Sequence, residues 1–444
     1  MLNGNSQQAV IGEVASSDAR DSDRIFKRVA WRIMPILFLV FVLSYMDRVN
    51  IGYAKLQFSE TLGLTDATYG MGAGIFFMGY LVSGIPSNML LAKIGARATI
   101  SRIMVTWGIV SSLMMFISTP TQFYILRFLL GLAEGGLAPG VYLYLTYWFP
   151  ESRRAKMVAI FLSAVPVAGV LCAPVSGYLL ESMRNIGGLY GWQWMFLIEG
   201  IPSVIVGVLA YFLVENSPDT ASWLAEDEKK VIAAALAADA NNKNVSKHRT
   251  NIKDALTSKT FIVLATIEII GGVAIAGFAF WLPQIVHDLG VVNLGNNGVI
   301  TAIPYLSASI GMVVWGYLSD RFKERRWHYA IAASLGAIGL FVACRNTGNF
   351  YVAMFGLTLA YTGIMSCVSV FWAYATTYLK SGAAVVGIGV LNAAASLAAY
   401  ASQYAFGVVS MATKNSLSGL YGIAISLMVG ALLVFLLPRN LENA

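Results

Sequence analysis

The sequence has 444 residues, of which 57% are hydrophobic and 12% are charged, and its formal net charge is +7. Soluble domains carry about 25% charged residues, so this composition excludes an ordinary water-soluble protein. It indicates a chain that lies largely within a lipid bilayer.

Apolar runs long enough to cross a membrane recur along the whole chain. A helix of about 20 apolar residues spans roughly 30 Å of hydrocarbon. Six such runs lie near 31–54, 69–92, 98–118, 121–147, 156–181 and 194–215. Six more lie near 260–285, 297–318, 327–345, 349–379, 382–409 and 416–437. The sequence therefore predicts an all-α membrane protein with twelve transmembrane helices.

The longest polar stretch separates the two sets of runs and contains a predicted surface helix from Trp223 to Ala238. Two sets of spans joined in this way are expected of transporters built from repeats, with the substrate bound between the halves. We predict an N-terminal tail, a first six-helix bundle, a cytoplasmic linker, and a second six-helix bundle with a short tail, at 1–30, 31–215, 216–258 and 259–444.

The basic residues indicate the orientation of the predicted spans. When the loops are assigned alternately to two sides, 24 of the 30 Lys and Arg residues lie on the side of the two termini. Cytoplasmic loops of membrane proteins carry such an excess, so both termini are predicted to be cytoplasmic. This arrangement explains the net positive charge, and no nucleic-acid partner is predicted.

Charged residues interrupt two of the apolar runs: Asp47 and Arg48 in the first, Arg127 and Glu134 in the fourth. A charge at this depth is costly and usually faces an internal cavity. Asp47 lies roughly 22 Å from the cytoplasmic start of its run, and Arg127 lies roughly 21 Å from the inner face of the membrane. Because the two residues are level, we predict a salt bridge between Asp47 and Arg127.

Glu134 and Arg48 are then assigned different roles. Glu134 is almost two turns beyond Arg127 and about 10 Å deeper, where a carboxylate without a permanent cation favours binding a proton. Arg48 offers a fork of donors that matches a substrate carboxylate. Alternatively, all four charges only pin the helices together. The acids Glu199 and Glu268 lie near predicted helix starts and are expected to reach water.

The segments around these charges read Tyr45-Met-Asp47-Arg48-Val-Asn50-Ile and Arg127-Phe-Leu-Leu-Gly131-Leu-Ala-Glu134-Gly-Gly-Leu-Ala-Pro139-Gly, and a third reads Phe280-Trp281-Leu282-Pro283-Gln284. They resemble the anion:cation symporter family of the major facilitator superfamily. That family includes bacterial permeases for sugar acids, tartrate and aromatic carboxylates, and also sialic acid and vesicular glutamate carriers.

The resemblance implies an anion site at Arg48 and proton coupling through Asp47 and Glu134, with Arg127 beside them at the substrate site. Further pocket residues are inferred from their positions in the spans or from the sugar-acid carriers, namely Tyr45, Tyr80, Ser369, Trp372 and Asn392. For each aromatic residue, the alternative is a ring that only packs between helices.

A short motif follows the eighth run, Gly316-Tyr-Leu-Ser-Asp320-Arg321. It resembles the Gly-x-x-x-Asp-Arg signature of the same superfamily, which implies a gating role for Asp320 and Arg321. The corresponding place after the second run carries Lys93 and Arg97 but lacks the acid.

These features together predict a multi-pass transporter of the bacterial inner membrane that imports an organic carboxylate with H⁺. The histidines lie in loops or at span ends and no nucleotide-binding loop is found, so neither an enzyme nor a cofactor or metal site is predicted. The alternatives are an anion sensor and an anion exchanger without net proton coupling. The substrate is left open between a hydroxylated acid such as tartrate and an aromatic acid. The path needs only one chain within the lipid, so a monomer is expected.

Overall fold

The computed structural model of the protein describes residues 4–245, 256–379 and 382–439, and the regular secondary structure in these ranges is entirely helical. Before the linker lie α1 (Gly4–Leu62), α2 (Asp66–Leu113), α3 (Pro120–Glu134), α4 (Leu137–Trp148), α5 (Glu151–Leu162), α6 (Ala164–Ser182) and α7 (Gly191–Leu213). The linker contains α8 (Glu226–Val245). The second half contains α9 (Lys259–Asp288), α10 (Leu294–Phe322), α11 (Arg326–Arg345), α12 (Phe350–Tyr378), α13 (Gly382–Thr413) and α14 (Ser418–Leu433).

The predicted all-α membrane fold is confirmed. Within the described ranges, 10 helical segments are long and apolar enough to cross a membrane. The other two predicted spans, 69–92 and 382–409, are also helical and belong to α2 and α13. Residues 246–255 of the predicted linker and 440–444 of the predicted tail lie outside the described residues.

Several helix boundaries differ from the apolar runs. The helix α1 already begins at Gly4, so it includes most of the predicted tail. The second and third spans form one helix, α2, with a non-helical residue at Gly95. The fourth span is divided into α3 and α4 at Gly135 and Gly136. Apolarity alone marks the membrane-spanning length and does not show where the backbone leaves the helix.

The break in the fourth span depends on a glycine. Gly136 has φ of 95°, a left-handed conformation that residues with a side chain rarely adopt. A Cβ atom at this position would also lie 2.3 Å from the Cβ of Ser87 in α2. The chain can therefore turn here only because Gly136 has no side chain, and the turn places Glu134 at the end of α3.

The linker helix α8 packs against the first half. Arg28 in α1 pairs with Glu228 at 2.8 Å, and Arg154 in α5 pairs with Asp239 at 3.5 Å. Trp223, just before α8, stacks on Trp148 with ring centroids 5.8 Å apart. The predicted surface helix is thus present, and it is anchored to α1, α4 and α5.

The two halves meet at the end of the molecule opposite the linker, which we call the closed end. Lys55 in α1 is buried and bonds Asp66 in α2 and Gln284 in α9, both at 2.8 Å. Asp66 also accepts a hydrogen bond from Ser410 in α13 at 2.6 Å. No hydrogen bond or ion pair between described residues joins the helices of the two halves at the linker end. Among the described residues, the polar contacts between the two halves therefore lie toward the closed end.

Close helix packing also joins the two halves. A Cβ atom on Gly298 in α10 would lie 2.2 Å from the carbonyl oxygen of Ala173 in α6. Small residues let helix backbones approach this closely inside a membrane, where dispersion contacts hold helices together.

Candidate functional site

Arg48 and Glu134 form an ion pair in the interior of the first half. Glu134 is buried and accepts a second hydrogen bond from Ser44 Oγ at 2.6 Å, whereas 17% of the Arg48 side chain is exposed. Glu134 is the last residue of α3, where the helix dipole disfavours a negative charge, so the guanidinium offsets an unfavourable position. The expectation that Glu134 lacks a cation is wrong.

Asp47 is held by uncharged groups. Trp107 Nε1 and Ser203 Oγ donate to Asp47 Oδ2, each at 2.8 Å, and Ser111 Oγ donates to Oδ1 at 2.7 Å. These donors come from α2 and α7, and Asp47 is buried. The carboxyl group is therefore fully hydrogen-bonded without a cation.

The predicted salt bridge between Asp47 and Arg127 is wrong. The depth estimate gave the level of each residue but not the direction of its side chain around the helix axis. Consecutive residues on a helix point about 100° apart, so Asp47 turns toward α2 and α7 while Arg48 turns toward α3. It is Arg48, not Asp47, that binds an acid or base of the fourth span.

Arg127 is fully buried, but its charge has little compensation. Its Nε and Nη1 atoms lack hydrogen-bond partners among the described residues, and Nη2 lies 3.5 Å from the carbonyl oxygen of Ala73. The guanidinium carbon lies 5.0 Å from the ring centroid of Phe76 and 5.9 Å from that of Phe280 in the second half. Arg127 thus lies at the contact between the halves, with donors available for an anion.

Aromatic rings surround the guanidinium of Arg48. The ring centroids of Tyr45, Phe76 and Tyr80 lie 5.7, 5.3 and 5.3 Å from its Cζ atom. Such contacts stabilise a cation inside a low-dielectric region. The structure therefore places two of the predicted pocket residues, Tyr45 and Tyr80, beside the predicted anion-binding residue. Their roles in substrate binding stay predictions.

The hydrogen bonds and ring contact described for the predicted pocket residues of the second half are with their own helices. Ser369 Oγ donates to the carbonyl oxygen of Ser366 at 3.0 Å, and Asn392 Nδ2 donates to that of Ile388 at 3.0 Å, each within its own helix. Trp372 is half-buried, with its ring 5.5 Å from Phe371. None of the hydrogen bonds described for these side chains reaches Arg48 or Glu134, and a substrate role stays a prediction.

The predicted gating residues lie at the linker end of α10. Asp320 pairs with Arg325 at 2.6 Å, and Arg321 Nη1 lies 3.4 Å from the hydroxyl of Tyr317. Both contacts lie within the second half. The corresponding Arg97 of the first half pairs with Glu215 at 2.7 Å, close to the start of the linker. Gating by Asp320 and Arg321 stays a prediction.

Glu199 is a buried polar residue that the sequence prediction assigned to the interface. Asn50 Nδ2 donates to its Oε2 at 3.0 Å, and Ser176 Oγ lies 2.6 Å from its Oε1. Because α7 begins at Gly191, Glu199 lies two turns inside the helix. The sequence does contain an indication of this contact. Asp47 and Asn50 lie on one face of an apolar helix, and Glu199 and Ser203 lie on one face of another, so the two polar pairs could meet. Glu268 is half-buried within α9.

Comparison with known proteins also indicates a membrane transporter. The Major Facilitator Superfamily profile matches residues 37–403. The putative metabolite transport protein NicT of Pseudomonas putida is 38% identical over 419 residues, covering 94% of this chain and 95% of that protein. A putative tartrate transporter of Agrobacterium vitis is 40% identical over 417 residues, covering 94% of this chain and 95% of that protein.

The fold is also shared with a solved transporter. A D-xylose-proton symporter superposes with a TM-score of 0.73 at 16% identity, covering 92% of this chain and 98% of that chain. The matched family and these relatives are transporters rather than enzymes. From the profile match over most of its length and from its identity with these relatives, the chain belongs to the Major Facilitator Superfamily.

Proposed function

We propose that the protein is a proton-coupled secondary transporter that imports an organic carboxylate across the bacterial inner membrane by alternating access. The observation that carries this proposal is the Arg48–Glu134 ion pair inside the membrane-spanning region, with part of Arg48 exposed. A relative named as a putative tartrate transporter and the bacterial origin of the relatives support the substrate class and the membrane.

The ion pair provides a direct link between a proton and an anion. In the described conformation the carboxylate of Glu134 is paired with the guanidinium of Arg48. Protonation of Glu134 removes this negative charge and frees the arginine donors, which then bind a substrate carboxylate in a bidentate manner. When the proton leaves, Glu134 competes again for Arg48 and the anion is released. The contacts at the closed end match the inward-facing stage of such a cycle, with the linker end in the cytoplasm.

Transport by the purified protein in liposomes tests the proposal. The probes are labelled L-tartrate, D-galactonate and phthalate, which represent hydroxylated and aromatic acids. We expect at least one to accumulate when the outside is acidic and a protonophore to abolish the accumulation. Exchange without accumulation would support an exchanger, and binding without any transport would support a sensor. Either result would contradict the proposed symport.

The variant Glu134→Gln tests the proton-binding role directly. The amide resembles the protonated acid in shape but cannot release a proton, so we expect exchange of the transported acid to persist and acid-driven accumulation to be lost. Both are measured in liposomes. Glu226→Gln is the matched control, because Glu226 is 83% exposed and pairs with Lys229 of the same helix, α8. Accumulation by Glu134→Gln at the wild-type level would show that another residue carries the proton.

A further inference from the structure

Two polar contacts join α1 to α7 one helical turn apart. Ser203 donates to Asp47, and Asn50 donates to Glu199. Asp47 and Asn50 are three positions apart on α1, while Glu199 and Ser203 are four apart on α7, so each set of positions lies on one helix face. The two acids therefore belong to one buried row. Their hydrogen-bond partners among the described residues are uncharged.

The partners of Asp47 suit an ionised carboxylate. The indole N–H of Trp107 can only donate a hydrogen bond, so the Asp47 oxygen that receives it must accept. Ser111 and Ser203 supply two more donors at 2.7 and 2.8 Å. Three donors on two oxygens compensate a negative charge without a cation.

The partners of Glu199 can also accept a hydrogen bond from its protonated form. The hydroxyl of Ser176 can donate or accept, and it lies 3.2 Å from the thiol of Cys172, which provides an alternative partner for its hydrogen. Asn50 Oδ1 is buried and has no hydrogen-bond partner among the described residues. A half turn of this amide would place Oδ1 against Glu199 as an acceptor. Both neighbours of Glu199 can therefore bind either the acid or its carboxylate.

Within the described part of the chain, no Lys or Arg side chain bonds Asp47 or Glu199. The titratable groups that face Glu199 are Asp47 and Tyr53 from α1 and Cys172 from α6. Two ionised carboxylates here would repel each other in a buried region where their described hydrogen-bond partners carry no positive charge, which is unfavourable. Interacting acids in such a site titrate as a coupled pair, and one bound proton removes the repulsion.

We propose that Glu199 is a further proton-binding residue of the transport cycle, and that it holds the proton of this row in the described conformation while Asp47 is ionised. The inference rests on the proposed proton-coupled transport. The row holds the segment of α1 that carries Arg48, between Asp47 and Asn50. Loss of the proton from Glu199 to water therefore changes the hydrogen bonds that fix this segment.

Infrared difference spectroscopy of the purified protein tests where the proton lies without the use of a substrate. At neutral pH we expect a carboxylic-acid carbonyl band that shifts in D₂O and disappears in Glu199→Gln. The band should persist in the exposed control Glu226→Gln. Absence of the band from the wild-type protein, or its persistence in Glu199→Gln, would overturn the inference.

Transport in liposomes tests whether this proton takes part in the cycle. With an acid that the wild type accumulates, we expect Glu199→Gln to keep exchange but to lose most of the acid-driven accumulation, and Glu199→Asp to restore it. An equal loss of exchange and accumulation in Glu199→Gln would indicate a structural role and contradict the inference. If the wild type accumulates none of the three acids, the proposed function fails, and the infrared result alone decides whether Glu199 holds the proton.

Discussion

Arg48 is the residue for which the Glu134 carboxylate and the proposed substrate carboxylate compete. Its guanidinium lies among three aromatic rings and binds Glu134, yet part of its surface is exposed. A charged group inside a membrane-spanning region is costly and tends to mark a functional pathway. The ion pair lowers this cost when no substrate is bound, and a substrate carboxylate can replace Glu134 without leaving the arginine unpaired.

Replacing Arg48 by Lys tests whether substrate binding depends on the shape of the guanidinium group or only on its positive charge. Lysine keeps the positive charge but loses the planar fork that binds a carboxylate through two parallel hydrogen bonds. A hydrogen bond to a charged group contributes about 1.5–3 kcal/mol, so we expect the substrate affinity to fall by about tenfold or more. The measurement is the concentration dependence of uptake in liposomes. Unchanged affinity in Arg48→Lys would place the anion at another residue, such as Arg127.

At the scale of the secondary-structure elements, the divided fourth span positions the acid of this pair. Because α3 ends at Glu134, the carboxylate lies at a helix terminus in the interior of the protein. Discontinuous helices at this depth form substrate and ion sites in many transporters. The turn after Glu134 is made by Gly135 and Gly136, which pack against Ser83 and Ser87 of α2.

The variant Gly136→Ala should destabilise this turn. Alanine disfavours φ of 95°, and its Cβ would lie 2.3 Å from that of Ser87. Strained conformations of this kind cost of order 1–3 kcal/mol, so we expect a lower melting temperature and reduced transport. Gly84→Ala in α2 is the control, because a Cβ atom there meets no atom within 4 Å. Equal stability of Gly136→Ala and Gly84→Ala would show that the left-handed turn is not required.

The elements and the site differ in how far the sequence predicts them. The spans follow from runs of apolar residues, and Arg48 and Glu134 stand out because charges rarely occur inside such runs. The sequence did not predict the pairing of Arg48 with Glu134, because this pairing depends on the rotation of α1 about its axis. Glu199 was missed because the burial of a residue near a helix start depends on the neighbouring helices, here α1 and α6, and not on its own run.

At the scale of the whole molecule, the contacts at the closed end join the two halves through polar groups. Lys55 binds Gln284 of the second half, and Asp66 binds Ser410. In the proposed alternating access, these contacts break when the opposite end closes. Each net hydrogen bond contributes only about 0.5–1.5 kcal/mol. A few such contacts can therefore favour the closed conformation of this end while still allowing it to open.

Removing one of these contacts should shift the balance. In Ser410→Ala the hydrogen bond to Asp66 is lost while the ion pair of Asp66 with Lys55 persists, so we expect the closed end to open about 2–10 times more often. Spin labels at the exposed residues Ile186 and Tyr351 would report this change as a longer distance. Ser402→Ala on the same helix is the control, because the hydrogen bond described for Ser402 stays within its own helix. An identical distance distribution in both variants would exclude a role of Ser410 in closure.

The docking of α8 affects how the linker end of the protein contacts lipid headgroups. The acids Glu228 and Asp239 neutralise Arg28 and Arg154 beside the bilayer surface. Anionic headgroups attract juxtamembrane basic residues by about 1 kcal/mol per free positive charge, and paired arginines contribute less. A higher phosphatidylglycerol content of the bilayer should therefore attract this half of the protein less strongly than its number of basic residues suggests.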